Sequence, residues 1–153
     1  MNNEARLELG GLCSKPLALR HAELARLPAD AQVADVAALV PGRAGRAVKL
    51  AALRVLAGEE PGVAFLDVAS ADPGFAVSLP IAEARDAVVV YELDGAPLPP
   101  NKGGPFRLLV PGHSDECVHV KSVARLSLSA ARGRDTRPVD DAEHAQLHAK
   151  KKS

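Results

Sequence analysis

Proline and glycine, twelve of each in 153 residues, divide this chain into short segments and restrict it to short strands and short helices. A proline removes a backbone donor and a glycine admits turn conformations, so long regular elements do not run through them. Arg6 to Leu9 alternates polar and apolar, as a half-buried strand does, and the Gly10-Gly11 turn follows. KPLAL is a second extended piece ending near Leu19. In LRHAELARL, Leu19, Ala22, Leu24 and Leu27 share one helical stripe, which Pro28 stops. Gln32 to Val40 is apolar and free of turn residues up to Pro41-Gly42, so it reads as a buried strand. LAALRVLA, from Leu50 to Ala57, reads as a short buried helix ended by Gly58.

The second half carries more strand signal. VAFLDVAS (63–70) and FAVSL (75–79) pair across the turn ADPG, and PIAEAR gives a helical turn. AVVVYEL (87–93) is a strong β run that Asp94-Gly95 turns back as a hairpin. FRLLV and the run from Val118 to Leu128 supply the last strands. With no βαβ rhythm, the expected class is α+β, a mixed or antiparallel β core with a few short helices. A doubly wound dinucleotide-binding sheet is not expected. Residues 1–130 form the expected domain, and 131–153 a polar, mixed-charge tail closed by three lysines.

Composition narrows the function. The chain is 47% hydrophobic with 19 basic and 19 acidic residues, which fits one folded domain and argues against a basic nucleic-acid binder. No apolar run is long enough to cross a bilayer. The start, MNNEARLELGG, lacks the basic-then-apolar order of a secretory signal, so the expected compartment is cytoplasmic. Two cysteines, Cys13 and Cys117, are too few and too distant for a disulfide framework. No Trp, one Tyr and three Phe leave few platforms for stacking a base.

Standard catalytic signatures are missing. PGRAGRA lacks dinucleotide-binding spacing and a following Gly-Lys-Ser/Thr, and neither a GxSxG elbow nor an HExxH occurs. Basic residues do gather at glycine-rich turns: Arg43, Arg46 and Lys49 around Gly42 and Gly45, and Lys102 and Arg107 in NKGGPFR. Close backbone approach and bidentate guanidinium groups suit a phosphate, though each such residue alone also fits an ordinary solvated charge. HSDECVHVK concentrates His113, Asp115, Glu116, Cys117 and His119. These are zinc-ligand types without a compact zinc spacing, and a buried structural Cys beside a hydrogen-bonded His is the favoured reading over a metal site.

The collinear runs DPGFAVSLPIAEA, VVVYELDGAPLPPNKGGPFRLLVPG and VKSVARLSL, with the opening RLELGGLCSKPLALRHAELARLP, cover most of the chain to about Leu128. In that order they resemble the molybdopterin-binding oxidoreductase domain of the sulfite oxidase family. The resemblance implies an α+β fold, molybdopterin as cofactor, and Arg107, His119, Lys121 and Ser122 at its phosphate end. It also implies a molybdenum-ligating thiolate near Gln32 to Val36, where QVADV has none. Cys117 is then the one candidate metal ligand, and sulfite-type turnover is not expected. A protein or redox partner accompanies that reading. The alternative is a non-catalytic interaction domain that keeps the fold.

Overall fold

The computed structural model describes residues 5–137. Its regular elements, in chain order, are β1 (Leu7–Gly11), β2 (Leu17–Leu19), α1 (His21–Ala25), β3 (Gln32–Val33), β4 (Arg46–Lys49), α2 (Leu50–Ala57), β5 (Phe65–Ser70), β6 (Ala76–Pro80), β7 (Val88–Leu93), β8 (Ala96–Pro97), β9 (Arg107–Leu109) and β10 (Val123–Ser129). One sheet runs β2-β1-β10-β5-β6, and a second runs β3-β4-β7-β8 with β9 also on β7. Pairing is antiparallel throughout except between β1 and β10, which lie parallel. The architecture is α+β, as the segment pattern requires.

Strand β7 explains why two sheets are needed. Val88 through Tyr91 are all buried, because each face of the strand meets a different apolar layer. Val89 and Tyr91 join the main core with Leu66, Val68, Leu108 and the inner face of α2. Val88 and Val90 face a smaller cluster of Val36, Ala47, Leu98 and Leu109. Asp94 and Gly95 take φ of 54° and 81°, the paired left-handed conformations of the two-residue turn that Asp-Gly favours. Helix α2 buries Leu50, Leu53 and Ala57 and ends on Gly58 at φ 69°, as its sequence indicates.

Two expected strands are shorter than their apolar runs. After β3, the Asp35 carboxylate accepts the Ala37 N–H and turns Val36–Ala38 into a 3-10 helix. The run from Val118 likewise becomes a strand only at Val123. Asp115 caps a 3-10 turn over Glu116–Val118, and Ser122 sits at φ 52°, outside the extended region. In both cases a side chain hydrogen-bonding its own backbone outcompetes the ladder.

Residues 131–137 lie against β6. Thr136 N–H donates to the Ala76 carbonyl (2.8 Å), and Ala76 N–H donates to Thr136 Oγ1 (3.1 Å). Ser78, fully buried, donates its hydroxyl to Asp67 (2.6 Å) and accepts the Gly133 N–H (3.0 Å). Its own N–H donates to Asp135 (3.0 Å), so a buried polar residue is fully satisfied. The rest of the expected tail, 138–153, lies outside the described residues. Among the described residues, no helix is long and apolar enough to cross a membrane.

Candidate functional site

Three loops meet at one end of the two sheets. The first is the β5–β6 turn, where Asp72 accepts the Gly74 N–H (3.0 Å). The second joins β8 to β9 and is clamped by buried Leu98 and Phe106. Between these anchors Gly103 takes φ 94°, and a Cβ there would stand 2.9 Å from Arg107 Cδ and 3.3 Å from Lys121 Cγ. Glycine is required here so that both cationic stems can pass. The third is the segment from His113 to Ser122, stitched to the second by Ser122 N–H to Gly103 O (2.7 Å) and Leu108 N–H to Val120 O (2.9 Å).

The loops enclose an open cavity of about 740 Å³, within the range of small-molecule sites. Arg107, His119, Lys121, Ser122 and Cys117 all line it, so the candidate residues read from the sequence share one concavity. Arg43 joins them, whereas Arg46 turns away to donate to Gln32 (3.2 Å). Lys49 and Lys102 do not contribute to the lining. Of the lining residues, the sequence singled out neither Ser70 nor Glu116's position at the mouth. Asp72 and Phe75 were legible only as part of the DPGF run.

Arg107 is the unusual member. Its Nε is buried with no hydrogen-bond partner, and one terminal nitrogen reaches only the His119 carbonyl at 3.4 Å. Among the described residues no carboxylate forms an ion pair with Arg107 or Lys121. Burial and then the neighbouring Arg43 pull the Arg107 guanidinium below its ordinary pKa, with Glu116 opposing. A half-buried guanidinium without a counter-charge is a ready partner for an anion.

His119 is buried, and its Nδ1 accepts the Val110 N–H at 3.0 Å. That bond leaves Nε2 to carry the proton of the neutral ring. Burial lowers its pKa, favouring the neutral form, against the opposing pull of Glu116. Ser122 lines the cavity, but its hydroxyl proton is committed to the Gly104 carbonyl (2.9 Å), so it latches the loop and offers only an acceptor.

The cluster HSDECVHVK does not converge. His113 pairs with Glu83 (2.8 Å) and Asp115 with Arg137 (3.1 Å). Among the described residues no group of three or more potential ligands is placed to hold a metal ion. Cys117 is exposed and Cys13 is the buried thiol, which corrects the reading of Cys117 as a buried structural residue. Burial of the sulfur, then the Asp115 charge, push the Cys117 thiol above its ordinary pKa.

Residues 46–136 match the model of the oxidoreductase molybdopterin binding domain. The chain belongs to this family. Its members are molybdopterin-binding oxidoreductase domains of the sulfite oxidase type, and the implied cofactor is molybdopterin. The fold is similar to that of the sulfane dehydrogenase SoxCD from Paracoccus pantotrophus, with a TM-score of 0.65 and 24% identity over 86% of this chain. The match takes in 40% of that chain, so this sequence spans well under half of it. No curated protein sequence matches.

The cavity fits one end of a molybdopterin better than the other. The unpartnered Arg107 Nε, the Gly103 cradle and the Lys121 and Arg43 charges suit a phosphate. The segment from Gln32 to Val36 offers no sulfur: Gln32 donates to the Leu24 carbonyl (2.8 Å), and Val36 is fully buried. Cys117 is the single thiol lining the cavity.

Proposed function

We propose that this domain binds the phosphate-bearing end of molybdopterin in the cavity, and that it is a binding domain without sulfite-type turnover. The observation that carries the reading is the half-buried Arg107 guanidinium, whose buried Nε has no partner and whose charge, among the described residues, has no carboxylate. A phosphate in the cavity that Arg107 lines supplies the missing counter-charge, through short charge-assisted hydrogen bonds. The Lys121 stem also passes Gly103, and neutral His119 contributes an Nε2–H donor. Gly103 and Gly104 carry the backbone past these groups, while Ser122 holds the two loops in register.

When bound, molybdopterin supplies redox chemistry at molybdenum. The protein's share of that chemistry is a fixed sulfur donor, and only Cys117 is placed to give one. Cys117 is exposed and sits on a 3-10 turn away from the segment Gln32 to Val36, where the resemblance expects the ligand. A domain that retains the phosphate grip and lacks a cysteine in the segment Gln32 to Val36 binds the cofactor without running the oxidase reaction.

The test uses purified protein loaded with molybdopterin, with pterin fluorescence after acid release and molybdenum content as readouts. Wild type is expected to retain pterin without sulfite oxidation, and Arg107→Met to lose the pterin. Molybdenum retained by wild type and lost in Cys117→Ser would show that Cys117 ligates the metal, and an enzyme would then be the better reading. Failure of wild type to retain any pterin would refute the binding assignment itself.

A further inference from the structure

We propose that Glu116 is a built-in competitor for the anion site, a carboxylate that occupies the cavity mouth until a doubly charged ligand displaces it. The inference rests on reading the cavity as a phosphate site and adds a residue that sets its selectivity.

Glu116 Oε1 lies 3.7 Å from an Arg43 terminal nitrogen and 3.9 Å from His119 Nε2. Arg43 and His119 both line the cavity, so the carboxylate stands where an entering oxyanion would find two of its partners. Both separations are longer than a hydrogen bond, so the carboxylate is attracted without being locked.

The backbone beneath it is held firmly. The Asp115 carboxylate accepts the Cys117 N–H (2.9 Å) and receives Arg137 at 3.1 Å. Arg137 is itself clamped by Asp135 at 2.6 Å. The Glu116 side chain, in contrast, is 77% exposed and makes no hydrogen bond or further ion pair among the described residues. A fixed base with a free side chain is what a displaceable group needs.

The chemistry then sorts ligands by charge. Arg107 and Lys121, which Glu116 does not reach within ion-pair distance, remain open to an anion in the cavity. A phosphate dianion engages both of them and also replaces the carboxylate on Arg43. A monoanion gains less from Arg107 and Lys121 and has the same carboxylate to displace.

Binding of inorganic phosphate at pH 8, followed by calorimetry, tests this. An exposed ion pair of this kind is weak, so removing the competitor should tighten phosphate binding by about three- to fivefold. Glu116→Gln should show that gain. Glu116→Asp keeps the charge but is one methylene shorter and falls out of Arg43's reach, so it should show most of the gain too. In an Arg43→Gln background the effect of Glu116→Gln should vanish, as a double-mutant cycle requires for a direct pair. If Glu116→Gln tightens binding and Glu116→Asp matches wild type, the residue acts only through its field and the competitor assignment is overturned. If wild type binds phosphate, Arg107→Met does not, and neither Glu116 variant differs from wild type, the assignment falls while the phosphate site stands. If neither wild type nor Glu116→Gln binds phosphate, the site and the inference fall together.

Discussion

Arg107→Met should raise the stability of the ligand-free domain while abolishing phosphate binding. Methionine keeps an unbranched stem to run beside Gly103 but removes the guanidinium. A buried donor with no partner costs about 1–3 kcal/mol, and the Arg107 Nε is such a donor. The variant forfeits the contact with the His119 carbonyl, which at 3.4 Å contributes about 0.5 kcal/mol at most. It also relieves the burial of the charge and, after that, the repulsion from Arg43, which together depress the guanidinium pKa. The balance is a gain of about 1–2 kcal/mol, or about 3–6 °C in melting temperature for a domain of this size. Most core-adjacent substitutions go the other way, so the sign is diagnostic. Thermal unfolding without phosphate, paired with phosphate calorimetry, measures both effects. A melting temperature about 3 °C or more below wild type, with phosphate binding retained, would show that Arg107 is a satisfied structural residue and that the reasoning is wrong.

Gly103→Ala should destabilise by about 1–2 kcal/mol, because φ 94° strains any other residue and the new Cβ meets Arg107 and Lys121. Its phosphate affinity should fall as the two stems are pushed apart, and an unchanged melting curve would contradict the cradle. Arg137→Ala should cost about 1–3 kcal/mol in urea unfolding, less than for a fully buried pair because its partners are partly exposed. Wild-type stability in that variant would mean that residues 131–137 merely rest on β6. Burial disfavours the Asp135 carboxylate, but its bonds from Arg137 and the Ser78 N–H outweigh this and hold its pKa low. The unfolded chain therefore takes up that proton first, so the stabilisation is present above the ordinary carboxylate value and is lost as pH falls through the folded one. Asp135→Asn should flatten that part of the acid-unfolding profile, and an acid slope identical to wild type would exclude it.

The β hairpins and α2 were legible because apolar periodicity and turn chemistry agree there. AVVVYELDG states both a strand buried on two faces and its turn. The two truncated strands were not legible by the same rule. Asp35 and Asp115 each cap their own backbone two residues on, a local bond that an apolar count does not register. The site was legible by residue type and by order along the chain: Arg107, His119, Lys121 and Ser122 do meet. What could not be read was use. Nothing in VKSV shows that the serine hydroxyl is spent on Gly104, and nothing in ECVH shows that a glutamate stands at the mouth. The docking of 131–137 was hidden by its polarity, since it is held by hydrogen bonds to Ser78 and Ala76 instead of by apolar burial.

The parallel pairing of β1 with β10 sets the timetable on which this domain can form. Glu8 lies opposite Arg125 and Gly11 opposite Leu128, so the middle of the first sheet joins segments more than a hundred residues apart. Until β10 arrives, β1 and β5 have no common neighbour, and each presents an unpaired edge. On a ribosome, the first sheet stays divided into two hairpins until residues 123–129 have left the exit tunnel. Contacts of such long range make for slow folding, and the exposed edges are the natural points for aggregation or chaperone capture during synthesis.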